Sequence, residues 1–375
     1  MSLQLSVVIL NYNVSNYLEL CLSSVKRAIS GIPAEIIIVD NASTDNSLDM
    51  LSRKHPELSV IKNSDNFGFA KGNNQGVANA KGKYICILNP DTVLPEDCFE
   101  TLLAFAEKQT DMGAIGPQLI DGSGNFLPES KRNLPTPPVA LTKILSSDRH
   151  YYNHQIGVED VGETTVLVGA FMFIKRKVYE NFGGFDEDYF MYGEDIDLSY
   201  RLNKAGLSNL YYGALKMIHF KGESTLKDET YAKHFYGAMA IFYKKHFKKS
   251  AWQKTMVDGL VQVARNLSFF RQKESSDYIC NLPWLLLSAD RDFIDLAQTH
   301  FGENLNIHTK LGFPNLAFKE SNLIFDAGAL AYKDIIMGMS ALNKFGNKFY
   351  IRPPGCNFIL GSDQSERRGQ IIWLD

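Results

Sequence analysis

The sequence predicts an α/β fold, with a mostly parallel central sheet followed by a smaller C-terminal α/β domain. Two observations point to it. Short β-branched runs recur between helix-period stretches, each bounded by polar or glycine-rich turns, as strands of a parallel sheet buried on both faces do. Polar clusters also stand at the ends of these runs, namely Asn11-Tyr12-Asn13, Asp40-Asn41, Asn63 to Asn66 and Asn89-Pro90-Asp91. Parallel sheets gather ligands at those carboxyl ends.

In chain order, Ser6 to Leu10, Glu35 to Val39, Leu58 to Ile61 and Tyr84 to Leu88 are the first strands. Helices fall between them at Tyr17 to Ile29 and Ser47 to Lys54, the second entered through Ser43-Thr44-Asp45-Asn46. Pro95 to Gln109 reads as a helix, Met112 to Ile120 as a strand, and Asp121 to Asn125 as a turn. From Leu127 to His154, Pro128, Pro135, Pro137 and Pro138 interrupt a stretch of mixed polarity, which predicts an irregular, mobile excursion over the surface. Regular structure resumes at Thr164 to Lys175, and a helical period opens at Glu194 and runs through Leu202.

After Tyr243 the chain turns basic. Trp252, Met256, Val257, Leu260, Val261, Ala264 and Leu267 then share one side of a helical pattern, with Arg265, Arg271 and Lys273 outside it. Such a helix either lies on an anionic membrane surface or packs on its own domain. The pattern restarts with strand Trp284 to Leu287, helix Asp292 to Phe301, strand Asn304 to Leu311, strand Asn322 to Phe325, helix Tyr332 to Leu342 and strand Phe349 to Arg352. The expected division is residues 1–250, a basic linker helix at 251–276, and a small α/β domain of unknown role at 277–375.

At 375 residues and 45% apolar composition the chain can bury a substantial core. A formal charge of -3 gives no global field for nucleic acid, so none is expected as a partner. The five cysteines lack any CxxC spacing, the pattern of reduced thiols rather than of a disulfide framework or structural zinc. Ser6 to Leu10 meets Asn11 at once and is too short for a signal core, and no apolar run approaches membrane-spanning length. A cytoplasmic protein is expected, with contact at the inner face of the membrane left open.

Three acids, Glu194, Asp195 and Asp197, crowd the start of one helical stretch. Crowding like charges is costly without a cation or an acid/base task, although carboxylates also offset the exposed N–H groups of a helix start. Asn89 and Asp91 stand two apart after a strand, so both can reach one ion of the hard divalent kind that shares its oxygen ligands with phosphates. Asn-Pro-Asp is also an ordinary turn sequence.

Ser6-Val-Val-Ile-Leu-Asn-Tyr-Asn13, Val39-Asp-Asn-Ala-Ser-Thr-Asp45, Asn66-Phe-Gly-Phe-Ala-Lys-Gly-Asn-Asn74, Leu88-Asn-Pro-Asp-Thr92, Gly183-Gly-Phe-Asp186 and Glu194-Asp-Ile-Asp-Leu198 occur in this order over residues 1–250. On these motifs the chain resembles family 2 glycosyltransferases of the rhamnosyltransferase-like group, with a GT-A fold. The resemblance implies an inverting enzyme that moves a sugar from a UDP- or dTDP-linked donor to a glycan or lipid-linked acceptor in cell-surface polysaccharide synthesis.

Carried onto this sequence, it implies that Asp40, with Tyr12, Asn13 and Asn41, holds the nucleobase, where a carboxylate can accept a pyrimidine imide N–H. Asp40 is otherwise a turn residue. Asn66, Gly68, Asn73 and Asn74, with Gly72 and Gly76, would line the ribose and diphosphate. Asp91 would be the main ligand of a divalent cation, magnesium or manganese, joined by His219; Asn89 replaces the first acid of the family's Asp-x-Asp motif. His219, after an apolar pair, is otherwise a core histidine. Asp195 would be the general base and Glu194 its acceptor-side partner, with Asp197 as structural support. Two alternatives stand: a degenerate transferase fold that binds a nucleotide sugar or glycan without turnover, and a sugar-phosphate nucleotidyltransferase. The latter lacks its expected glycine-rich basic loop after the first strand, where this chain reads Asn11-Tyr-Asn-Val-Ser-Asn16.

Overall fold

A computed structural model describes residues 2–136, 138–139, 149–221, 229–247, 282–309, 318–362 and 369–374. The expected basic helix at 251–276 lies outside the described residues. Strands β1 (Leu5–Asn11), β2 (Ala34–Asp40), β3 (Ser59–Lys62) and β4 (Tyr84–Leu88) pair in parallel in the order β3-β2-β1-β4. The sheet continues through β8 (Phe171–Lys175), β6 (Met112–Ile120), β9 (Ser208–His219) and β5 (Thr92–Val93), with β7 (Val161–Glu163) on β9. β8 runs antiparallel to β4 and β6, and β5 and β7 antiparallel to β9.

Alternate residues of β1 explain the layers. Val7 and Ile9 face α1 (Ser15–Ala28) and α4 (Cys98–Ala106) through Leu18, Leu22, Phe99 and Leu102. Val8 faces the other way, toward α3 (Phe69–Ala78) and α6 (Glu194–Lys204) through Ala70, Val77, Leu198 and Leu202. Burial on both faces is why these strands read as unbroken apolar runs. The short helices α2 (Ser47–Lys54) and α5 (Arg176–Asn181) complete the connections, and α7 (Glu229–His246) lays Ala238, Met239 and Phe242 against Tyr189 and Ile196.

Helix α3 has no counterpart among the expected helices, because its glycines read as loop. They are packing residues: a Cβ on Gly72 would meet Leu10 Cδ1 at 2.4 Å, and one on Gly76 would meet Val8 Cγ1 at 2.3 Å. Bare Cα atoms let the helix lie close on the sheet, and those glycines face the sheet rather than a ligand.

The smaller α/β domain is present as a second sheet, ordered β11-β10-β12-β13-β14-β15. Its strands are β10 (Trp284–Leu287), β11 (Leu305–His308), β12 (Asn322–Asp326), β13 (Lys348–Arg352), β14 (Phe358–Gly361) and β15 (Gln370–Trp373), with helices α8 (Arg291–Phe301) and α9 (Tyr332–Leu342). β10 to β13 are parallel, while β14 and β15, which the sequence pattern did not announce, close the edge antiparallel.

One apolar cluster joins the two sheets: Val14, Tyr17, Val93, Ile218 and Phe220 pack with Leu285, Phe325, Tyr332 and Met339. Glu96 adds a polar lock, accepting the Tyr332 and Lys333 N–H groups at the start of α9 at 2.7 and 3.0 Å. Arg27 donates to the carbonyls of Ala327 and Leu330. Among the described residues no helix is long and apolar enough to cross a membrane. Cys21, Cys86, Cys98 and Cys356 are free and buried.

Candidate active site

Three groups of polar residues converge beyond the carboxyl ends of β1, β2 and β4. In the first, Asn11 at the end of β1 donates to Asp40 Oδ1 at 2.8 Å and to Ser43 Oγ at 3.0 Å. Asp40 Oδ2 accepts the Ser43 N–H at 2.9 Å. Asp40 has no exposed surface, so its visible work is the turn role, and a ligand N–H would meet only its remaining lone pairs. Asn13, held at φ 56°, accepts the Thr44 N–H at 2.7 Å, and Tyr12 beside it is half-buried.

A chain of amides follows. Asn63 bridges Asn41 Oδ1 and Gln75 Oε1, both at 2.8 Å, and Asn41 donates to Asn66 Oδ1 at 3.2 Å and Gly68 O at 3.1 Å. Asn66 Oδ1 also accepts the Gly68 N–H at 3.0 Å. Gly68 sits at φ +82°, where a Cβ would lie 2.3 Å from the Phe190 carbonyl oxygen. The close backbone approach expected at Gly68 is made by the chain itself, and Phe69 N donates to that same carbonyl at 2.6 Å.

Asn73 and Asn74 part company. Asn73 is buried, donates to Phe69 O at 3.0 Å, and leaves Oδ1 without a partner. Asn74 accepts from Tyr179 Oη at 2.6 Å and Phe185 N at 3.1 Å, and donates to Phe185 O at 2.8 Å and Glu187 Oε1 at 2.9 Å. That satisfies every hydrogen-bonding position of an amide, so Asn74 clamps the Gly183-Gly184-Phe185 turn instead of facing the diphosphate.

The second group follows β4. Pairing of β5 with β9 sets Thr92 opposite His219 and brings His219 Nε2 to 3.4 Å from Asp91 Oδ1 and 3.3 Å from Asn89 Nδ2. Asn89 Oδ1, Asp91 Oδ1 and His219 Nδ1 are buried without hydrogen-bond partners. Unpaired buried acceptors are costly, and this donor set of amide oxygen, carboxylate oxygen and imidazole nitrogen suits a divalent cation. Among the described residues no group of three or more His, Cys, Asp or Glu side chains is placed to hold a metal, and here the third residue is Asn89. The oxygen and nitrogen donors of Asn89, Asp91 and His219 nonetheless fit a divalent cation. Gly222 and Ser224, which follow His219 in the chain, lie outside the described residues.

The third group opens α6. Gly193 takes φ +89° before Glu194, and all three acids are buried. Asp197 accepts Arg201 Nε at 2.6 Å, as its i,i+4 spacing implies, and His246 of α7 stands 2.6 Å from its other oxygen. Asp195 Oδ2 takes Arg132 Nη2 at 2.6 Å and the Gly169 N–H at 2.9 Å, while its Oδ1 accepts the Ile196 N–H at 2.7 Å. Glu194 Oε2 has no partner. Burial, reinforced by the charge of Asp195, pushes the Glu194 carboxyl well above the usual range.

Arg132 was missed from the sequence because it lies in the proline-rich excursion. Contrary to that expectation, Leu127, Ser130, Lys131 and Arg132 are buried. The signal available in the sequence was an adjacent basic pair, Lys131-Arg132, within that proline-rich stretch. Gly169 and Ala170 tie the second and third groups together, since Gly169 N donates to Asp195 and Ala170 O accepts the Asn89 N–H at 2.9 Å.

Residues 6–183 match the sequence model of the family described as glycosyl transferase family 2. The chain is 27% identical over 241 residues to an N-acetylglucosaminyl-diphospho-decaprenol L-rhamnosyltransferase of Mycobacterium tuberculosis, covering 60% of this chain and 78% of that one. It is 31% identical over 164 residues to the rhamnosyltransferase WbbL of Escherichia coli, covering 41% and 61%. A solved mannosyltransferase of Pyrobaculum calidifontis, in complex with GDP-Man and Mn2+, superposes with a TM-score of 0.47 at 15% identity over 72% of each chain.

Proposed function

We propose that this chain, whose residues 6–183 match the glycosyl transferase family 2 model, moves a sugar, by inversion, from a UDP- or dTDP-linked donor to a hydroxyl of a glycan or lipid-linked acceptor, in the manner of a rhamnosyltransferase-like enzyme. The setting is cell-surface polysaccharide synthesis, a reading supported by similar proteins named for a diphospho-decaprenol-linked sugar and for glycan biosynthesis. One observation carries the mechanism: the Gly169-Ala170 dipeptide binds Asp195 on one side and Asn89 on the other. The acid pair of α6 and the pair after β4 therefore lie on either side of one dipeptide, which supports reading them as one site.

The amide network from Asn41 to Asn66, with Tyr12, Asn13, Asp40 and Asn73, forms the donor side. Asp91, with His219 and Asn89, would hold a magnesium or manganese ion, which when bound neutralises the diphosphate that leaves. Asp195 accepts the proton of the acceptor hydroxyl as that oxygen attacks the anomeric carbon and the bond to the diphosphate breaks. Glu194 orients the acceptor. A variant of this reading is favoured by the partnerless Glu194 Oε2, whose raised proton affinity suits a base, whereas Asp195 has both oxygens engaged.

We read residues 1–250 as the catalytic unit and 277–375 as a buttress behind β5 and β9, joined by the basic stretch 251–276. That stretch would bring the enzyme to the inner face of the membrane. The test is release of nucleoside diphosphate from UDP- and dTDP-sugars with Mn2+, in Asp91→Ala, Glu194→Gln and Asp195→Asn. A transferase loses turnover in Asp91→Ala, and whichever α6 variant binds donor without turnover identifies the base. Donor binding without turnover by the unaltered chain, on every donor and acceptor tried, would favour a binding protein instead.

A further inference from the structure

We infer that Arg132 is a positioning residue for the transfer reaction, holding the Asp195 carboxylate against the loop at Gly169 and placing a positive charge beside the Glu194–Asp195 pair. The inference rests on the reading of that pair as the acid/base site. Its geometry is specific. Nη2 of Arg132 reaches Asp195 Oδ2 at 2.6 Å and the Leu167 carbonyl at 2.9 Å, so one nitrogen fixes the acid to the segment that also receives the Asn89 N–H. Both side chains are about nine-tenths buried, where an ion pair is weakly screened.

The backbone holds Arg132 in turn. Its N–H and C=O exchange hydrogen bonds with Val166 at 3.0 Å each, and Thr164 Oγ1 donates to its carbonyl at 3.1 Å. Three residues earlier, Glu129 pairs with Lys221, two positions after His219. Segment 129–132 is therefore a strap, with one end on the β9 terminus that carries His219 and the other on Asp195.

Charge explains why the strap ends in arginine. Glu194 and Asp195 are adjacent, buried and alike in charge, and two such groups do not both ionise without a cation. A surface lysine would leave the pair uncompensated, whereas a guanidinium stays charged when buried and has a fork for two acceptors. The other groups that bear on Glu194 are Asp197 on its own helix, which raises its proton affinity as Asp195 does, and the buried phenols Tyr179 and Tyr189, which feel its charge. Tyr151 also hydrogen-bonds Arg132. A backbone hydrogen bond to the Glu194 carboxyl acts in the opposite sense, and Arg132 is the charged side chain that does so. Without it the pair holds its proton to higher pH.

The experiment uses the full chain with Arg132→Gln and Arg132→Lys, reading hydrolysis of UDP- and dTDP-sugars with Mn2+ against pH, KM for the donor, binding of UDP and dTDP, and melting temperature. Arg132→Gln should lower kcat about 100-fold with donor KM within a few-fold, and move the acid limb of the kcat profile up by about one unit. Arg132→Lys should return the limb toward its original position while restoring only part of kcat. Combined with Asp195→Asn, Arg132→Gln should cost no further activity. A kcat loss with an unmoved acid limb and a lowered melting temperature marks a merely structural role and overturns the inference, as does an unchanged kcat. If Arg132→Gln fails to fold, the limb and kcat of Arg132→Lys decide. Wild-type turnover in both Asp195→Asn and Glu194→Gln would instead sink the acid/base reading itself, a result separate from failure of the arginine.

Discussion

His219 Nε2 stands 3.4 Å from Asp91 Oδ1, brought there by the pairing of β5 with β9 and not by nearness in sequence. With Asn89 completing the group, the site carries one formal negative charge where an Asp-x-Asp motif carries two. Asn89→Asp should therefore tighten activation by Mn2+ about tenfold, or about 1.4 kcal/mol, since a second carboxylate interacts strongly with a cation in a partly buried site. Asp91→Ala should abolish activation at any accessible concentration. Titrating donor hydrolysis against Mn2+ reads both, and an unchanged midpoint in Asn89→Asp would show that residue 89 is not a ligand.

Glu194 gives a pH dependence of stability with a definite sign. Its carboxyl is raised in the folded state by burial and by Asp195, so the neutral form is favoured on folding. That contribution is fully present below the unfolded value of about 4.3 and is lost as pH rises toward the folded value, at about 1.4 kcal/mol per unit. Glu194→Gln removes the titration. Its melting temperature relative to wild type should thus climb as pH rises from about 5 toward neutrality and level off once the folded group ionises. A constant difference across that range would mean that Glu194 is not held neutral.

Local pattern revealed much of this molecule and left the rest to tertiary contact. The parallel strands β1, β2 and β4 were legible because burial on both faces leaves unbroken runs such as Val7-Val8-Ile9. Helix α9 was legible to its end residues because its apolar spacing faces one core. Helix α3 was not, since Gly72 and Gly76 are poor helix formers that only close approach to Val8 and Leu10 justifies. In the site, Asp91, His219, Glu194 and Asp195 followed from motifs. Arg132 did not, because its role depends on a buried partner 63 positions away, and Asn74 looked like a ligand residue until its four hydrogen bonds were seen.

Gly76 and Gly68 separate two kinds of glycine requirement. Alanine at 76 should gain about 1 kcal/mol in helix propensity yet lose about 1–3 kcal/mol to overpacking, because the added methyl lies 2.3 Å from a β-branched Val8 that cannot swing aside. At 68 no gain offsets the clash. The methyl meets the Phe190 backbone oxygen at 2.3 Å, and φ +82° costs a further 1–2 kcal/mol or so. Chemical denaturation should rank Gly68→Ala below Gly76→Ala and both below wild type; Gly68→Ala as stable as wild type would refute the contact with Phe190.

The second sheet should unfold together with the first. Tyr17 and Phe220 meet edge-on at 5.1 Å within an apolar cluster that also holds Phe325, Tyr332 and Met339, so separating the sheets would expose the core they share. Calorimetry should show one transition. Glu96→Ala strips two acceptors from the first N–H groups of α9, and by analogy with a lost helix cap should cost about 1–2 kcal/mol, shifting the whole transition instead of splitting it. Because Phe220 follows His219 directly, loosening this contact should also raise the Mn2+ concentration needed for turnover. A distinct low-temperature transition in Glu96→Ala, with Mn2+ dependence unchanged, would show instead that the second sheet is an independent appendage.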